Sequence, residues 1–401
     1  MINRKLLLSV LLIFGMSNLF AQEEGAKKED KGYQFTEVKT IPVTSVKNQY
    51  RSGTCWSFSG LAFIEAEMLR KGKDEVDLSE MFVVHHSYYD KSLKYVRMHG
   101  TMNYGGGGAF NDVTDVMRKY GMMPEEAYTG LQYDEPKHVH GEMDALLDAM
   151  VNSIIKNKNK KLTKVWPKAI EGVLSAYLGP IPENFDYKGK NYTPKTFLTD
   201  YMDINPDDYV MLTSYSHHPF YQSFALEVQD NWAHGQVYNL PLKDFMDVIN
   251  ANIENGYSIA WAADVSENGF SWKNGVAIVP EDDIKSMNDL EQSKWEKLSK
   301  KELKKQLYSF DEPHTEKVIT QEVRQAAFDN YETTDDHGML IMGTAKDQNG
   351  TLYYKVKNSW STDQKYDGYF YASKSFVEYK TMSILINKES IPKNLRKKLN
   401  L

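Results

Sequence analysis

Apolar positions recur at helical spacing through much of the first half of the chain. Over residues 54–72, Trp56, Phe58, Leu61, Ala62, Ile64 and Met68 leave most polar groups on one side. This pattern predicts a helix stopped by Gly72 and preceded by the turn and cap chemistry of Ser52-Gly53-Thr54. A second helix is predicted over 79–88, with Ser79 as its cap. The glycine run Gly105 to Gly108 then interrupts the chain. Residues 109–120 are helical again through Phe110, Val113, Val116 and Met117, with Gly121 as terminator. Residues 142–178 carry a helical pattern that is Lys-rich in the middle. Residues 208–214 and 258–265 read as strands, and between them 242–254 forms an amphipathic helix closed by Asn255-Gly256.

After His337 the texture changes. Short strand-like runs at 339–343, 352–357 and 368–371 are separated by turns such as Gln348-Asn349-Gly350. Helices dominate the first half and an antiparallel sheet or barrel closes the second, which is an α+β pattern. The division expected is a helical half over about 38–205 and a sheet half over about 206–401. Residues 281–306, dense in Asp, Glu and Lys, read as a surface insertion with a solvated face, helical where it is ordered.

The first 21 residues read as a secretory signal peptide. Arg4 and Lys5 precede the apolar run from Leu6 to Phe14, and Ala21 is followed by polar residues. The protein is therefore expected to be secreted or periplasmic, with 22–37 as a flexible lead-in. Beyond the leader no apolar run approaches the ~18 residues of a membrane helix, and the mean hydropathy is −0.56. A net charge of −7 with no long basic run argues against nucleic acid as a partner. The single cysteine excludes a disulfide framework, cysteine zinc clusters and a Cys-x-x-Cys redox pair.

That cysteine, Cys55, sits at a predicted helix start, where backbone N–H groups and the helix dipole favour a thiolate. Gln49 lies just upstream, an amide able to donate to a developing oxyanion. His337 and Asn358 lie far downstream. A cysteine nucleophile needs an imidazole to take its proton, and the imidazole needs an orienting acceptor. The pairs His85-His86, His138-x-His140 and His217-His218 match no zinc spacing, so no metal and no cofactor are expected.

The segment Asn48-Gln49-Tyr50-Arg51-Ser52-Gly53-Thr54-Cys55-Trp56-Ser57-Phe58 resembles the active-site segment of papain-like cysteine peptidases. Asp336-His337-Gly338 and Lys357-Asn358-Ser359-Trp360 are similar to the other two segments. The closer likeness is to the bleomycin hydrolase/aminopeptidase C branch. It is carried by Gly107-Gly108-Ala109-Phe110, His217-His218-Pro219-Phe220-Tyr221, the run from Val237 to Leu242, and Ile386-Asn387-Lys388. The resemblance spans roughly residues 38–395. It implies a papain-like fold, a nucleophile at Cys55, a general base and acid at His337, and an orienting group at Asn358. It further implies an oxyanion hole at Gln49, substrate-pairing backbone at Gly107 and Gly108, and a shield of the His337–Asn358 contact at Trp360.

Departures from the family pattern are Ser361 in place of a glycine, the four-membered glycine run, and Asp335-Asp336 before His337. Residues 393–401 read as a basic helical turn or two, ill suited to threading a cleft as the C-terminal tail does in the family that the chain resembles. The expected activity is peptide-bond hydrolysis, aminopeptidase-like in the first instance, with a homo-oligomer such as the family's hexamer. Alternatives are an endopeptidase with an open cleft and weak dependence on a free N-terminus, or a non-catalytic peptide-binding protein on the same fold.

Overall fold

The predicted helix after Thr54 forms as α1, Cys55–Arg70. In this computed structural model, which describes residues 32–159 and 161–401, α1 lies against the central strands of a large sheet. The expected leader lies outside the described residues. The polar side expected on α1 is buried too, because its charges find partners. Lys47 Nζ lies 3.0 Å from Glu65 Oε1 and 2.7 Å from Glu80 Oε1, and Arg70 Nε lies 2.7 Å from Glu67 Oε1.

Helix α2, Glu80–Arg97, starts at Ser79, whose hydroxyl accepts from Phe82 N at 3.0 Å. It runs well past residue 88. The buried stripe continues through Lys91 and Ser92 to Tyr95, and those two polar positions broke the apolar pattern. Helix α3, Phe110–Tyr120, ends at Gly121 with a φ of 96°. The single helical stretch expected over 142–178 is two helices, α4 (Gly141–Ile155) and α5 (Trp166–Leu178). Pro167, in the first turn of α5, cannot continue a preceding helix.

The strands are β1 (Phe35–Thr40), the hairpin β2 (Phe185–Tyr187) and β3 (Lys190–Tyr192), β4 (Tyr209–Thr213), β5 (Ser223–Ala225) and β6 (Gln236–Asn239). They continue with β7 (Ile259–Ala263), β8 (Phe270–Ser271), β9 (Val276–Ala277), β10 (His337–Asp347), β11 (Leu352–Lys357), β12 (Tyr369–Ser373) and β13 (Thr381–Asn387). All but β2 and β3 form one sheet in the order β5-β6-β4-β13-β7-β10-β11-β12-β9-β8, with β1 also on β10.

The fold is α+β, but the expected antiparallel sheet or barrel is corrected on two counts. The pairs β4–β6 and β9–β12 are parallel, and the terminal strands β5 and β8 do not pair, so the sheet is mixed and open. The lead-in expected over 22–37 ends inside β1. Phe35 stacks on Tyr371 with centroids 4.1 Å apart and pairs in register with Asp347. The charged insertion holds the helices Asp289–Trp295 and Lys300–Leu307. It also has a small core of Met287, Trp295, Leu303 and Leu307, rather than only a solvated face.

Alternation splits the central strands between two apolar clusters. Ala260, Leu340 and Leu385 face α1 to α5, whereas Trp261, Met339, Ile341 and Ile384 face the helix Leu242–Glu254. With both faces covered, the central strands are apolar on both sides. Gly338 lets α1 come close: a Cβ there would lie 2.6 Å from Ser59 Oγ and 3.3 Å from Trp56 Cα. That approach brings the first residue of α1 beside the first residue of β10. Among the described residues no helix is long and apolar enough to cross a membrane.

Candidate active site

Cys55 is thus placed at the start of α1 and His337 at the start of β10, and both line one cleft. Trp56, Gly108, Asp230, Asp335 and Ala262 line it with them. His337 is buried, and its Nε2 lies 2.7 Å from Asn358 Oδ1. Ser359 N donates to that same oxygen at 2.7 Å, which orients the Asn358 amide as acceptor. The His337 proton is therefore assigned to Nε2, and Nδ1 is left free to act as a base. Trp360 stacks on the imidazole, centroids 4.5 Å apart at 29°, and Phe270 and Trp272 pack edge-on against Trp360.

Burial pushes the Cys55 thiol up to about 12, with Asp335 and Asp230 adding to the shift. Backbone hydrogen bonds from Gly338 and Trp56 act in the opposite direction. Burial likewise lowers His337 to about 4, against the Asn358 hydrogen bond and the Asp336 charge. Each group alone is held neutral. Proton transfer from Cys55 to His337 creates two opposite charges together, and each then favours the other's charged form.

Gln49 is 7% exposed and is tied down twice. Its N–H donates to Ser359 O at 2.9 Å, and its Oε1 accepts from Ser359 Oγ at 2.7 Å. With the oxygen occupied, the amide NH2 is the end left to donate. Ser361 has a φ of 68°, the left-handed backbone that a glycine would adopt freely.

The glycine run is pinned rather than loose. Trp56 Nε1 donates to Gly106 O at 2.9 Å, and Lys91 Nζ donates to Gly105 O at 2.8 Å and to Gly107 O. Gly108 lines the cleft and Gly107 lies under the Asp230 carboxylate. Sequence reading passed over Lys91 and Asp230. The only signal for Lys91 was a lysine on an otherwise buried helix stripe, and Asp230 carried none. The expected site residues Cys55, His337, Asn358, Gln49, Gly108 and Trp360 come together here.

The histidine pairs have other surroundings. His85 bonds Tyr128 Oη at 2.7 Å and Glu171 Oε1 at 3.0 Å. His138 and His140 are buried, and burial lowers both. His217 and His218 converge on Glu227 at 3.0 and 2.7 Å, on the surface.

Comparison with known proteins bears on this site. The profile of the Peptidase C1-like family matches residues 94–311 and 303–401. Aminopeptidase C of Lactobacillus helveticus is 22% identical over 442 residues, covering 96% of this chain and 90% of the relative. Aminopeptidase C of Lactococcus lactis subsp. cremoris is 23% identical over 383 residues, covering 86% and 80%. The solved structure of pepw from Lactobacillus rhamnosis hn001 superposes with a TM-score of 0.66 at 20% identity, over 91% of this chain and 84% of that one. That likeness is one of fold, and it agrees with the helix-then-sheet layout described above. A cysteine at a helix start facing a histidine at a strand start, within a chain matched over most of its length, identifies a cysteine-type peptidase of papain-like fold that belongs to the Peptidase C1-like family.

Proposed function

We propose that this protein is a cysteine aminopeptidase in which Cys55, His337, Asn358 and Gln49 carry the chemistry. The observation that carries this reading is the 2.7 Å contact from His337 Nε2 to Asn358 Oδ1, on a ring that shares its cleft with the Cys55 thiol. Cys55 Sγ attacks the peptide carbonyl and His337 Nδ1 takes the thiol proton. The tetrahedral oxygen is stabilised by the Gln49 amide and the Cys55 N–H. His337 then protonates the leaving amine, and water hydrolyses the thioester. Trp360 shields the His337–Asn358 bond from water, which keeps it strong. Gly107 and Gly108 offer backbone to the acyl side of the peptide. The aminopeptidase assignment is supported by the names of the relatives.

The test is labelling of the protein by a thiol-directed epoxide at neutral pH, together with peptide turnover by wild type and Cys55→Ala. Labelling at Cys55 and a loss of several orders of magnitude in kcat are expected. Residual turnover above a tenth of wild type would refute the assignment. A second reading, an endopeptidase, is favoured by residues 393–401. Leu395 and Leu399 are buried in the core that holds the helix Leu242–Glu254, and among the described residues none beyond Ser383 lines the cleft. Export and a hexamer-like assembly follow from the leader pattern and the resemblance. N-terminal sequencing of the mature protein and light scattering check them.

A further inference from the structure

The cleft beside Cys55 contains two acids for which the catalytic steps have no use. Val228, Asp230, Asp335 and Met382 line both the nucleophile's cavity and a wider groove adjoining it, so the two carboxylates stand at the neck between them. Among the described residues Asp335 has no hydrogen bond and no salt bridge, and the charges of Asp230 and Asp336 both act against its ionisation. Burial and those two charges push it up to about 7. Asp230 accepts one long bond, 3.3 Å from Asn103 Nδ2. Lys91 acts on Asp230 electrostatically, but its Nζ is engaged by Gly105 O and Gly107 O.

The position of Asp230 is built. A Cβ on Gly107 would meet both Asp230 carboxylate oxygens at 2.2 Å, so the acid lies against the glycine backbone itself. Its loop is closed by Asn231, whose Oδ1 accepts from Gly235 N at 2.7 Å and whose Nδ2 donates to Leu226 O at 3.0 Å. A peptide extending along Gly107 on its acyl side runs into this carboxylate. A peptide that ends there places its α-ammonium between two acids that, among the described residues, form no ion pair.

We infer that Asp230 and Asp335 form an ammonium subsite that reads the free N-terminus of the substrate and limits cleavage to the terminal residues. The inference rests on the peptidase reading above. It assigns to cleft side chains the recognition that residues 393–401, packed elsewhere, do not supply.

The experiment compares wild type, Asp230→Asn, Asp335→Asn and the double variant on three arylamides. These are a leucyl arylamide with a free amine, its N-acetyl form, and an N-acetyl-lysyl-leucyl arylamide. Wild type should cleave the free-amine substrate and nearly spare the acetylated one. The double variant should lose that preference, chiefly through a KM about 10–100-fold higher for the free amine. Equal cleavage of free and acetylated substrates by wild type would overturn the inference, whatever the variants do. So would an unchanged preference in a double variant that melts like wild type. A preference for the lysyl substrate that vanishes in the variants would also overturn it, by assigning the acids to a lysine side chain. Cleavage of some substrate with epoxide labelling of Cys55 leaves the peptidase reading standing in each case. Absence of both would overturn the two together.

Discussion

One hydroxyl sets the direction of the Gln49 amide. Ser359 Oγ occupies Gln49 Oε1, which leaves the NH2 end free to donate, as the proposed oxyanion role requires. Gln49→Ala should lower kcat about 10²–10³-fold, the usual cost of one preorganised oxyanion donor. KM should change far less, because the bond matters in the transition state. Ser359→Ala should lower kcat by about tenfold with a similarly small change in KM, because the amide can then rotate. A KM effect alone would make Gln49 a binding residue. The two acids before His337 act on different partners. Asp336 accepts from Ser266 N at 2.9 Å and favours the His337 imidazolium, whereas Asp335 disfavours the Cys55 thiolate. Removing the Asp336 charge lowers the imidazole further, so Asp336→Asn should move the alkaline limb of kcat/KM to lower pH. Removing the Asp335 charge lowers the thiol, so Asp335→Asn should move the acid limb of Cys55 alkylation by a small neutral reagent to lower pH. If both variants moved the same limb, this division of labour would be wrong.

At the scale of elements, the site depends on how α1, α2 and β10 are held. Lys91, buried in the middle of α2, ties the glycine run to that helix through two carbonyls. Burial lowers its pKa, and the charges of Asp112, Asp230 and Asp144 oppose the shift. Lys91→Met keeps the length of the side chain but leaves those carbonyls unmet. It should cost about 2–3 kcal/mol of stability. Amide exchange across 103–109 should rise and KM should increase, while epoxide labelling of Cys55 persists. Unchanged exchange in that segment would show that Trp56 alone, through its 2.9 Å bond to Gly106 O, holds the loop.

For the whole molecule, the sheet is the wall between two cores, and Arg324 ties its far side together. The guanidinium is fully buried, on the helix Gln321–Asp329. It donates to Ser214 O at 2.7 Å, to Glu378 O at 2.9 Å and to Thr381 O, and it lies 4.5 Å over the Tyr215 ring. These bonds join the end of β4 to the chain entering β13. A lysine cannot reproduce the planar fork. Arg324→Lys should therefore lose about 2–4 kcal/mol, read as a lower thermal midpoint, with little effect on KM.

Cys55, His337, Asn358 and Gln49 were legible in the sequence as candidates: residue chemistry offered the types, and the likeness to papain-like peptidases supplied the roles proposed for them. A helix start favours a thiolate, and the partner residues carry short flanking segments that can be read without the fold. Most helix limits were legible for a similar reason: Ser79 acts through its own hydroxyl, and Gly121 and Asn255 through their own backbones. Long-range pairing was not legible. β1 looked like a loose leader because its exposed edge is polar, and only Tyr371 and β10 give Phe35 a place to stack. The polar side of α1 read as separate from the core because Lys47, the partner that lets Glu65 be buried, lies outside the helix. Asp230 had no local signal whatever, since its meaning comes from lying against Gly107 at the neck of the cleft. The residues proposed to make and break the bond were thus legible in the sequence, because short flanking segments mark them. The acids proposed to select the substrate's end were decided by tertiary packing, because charge in a cleft takes its effect from what the fold brings beside it.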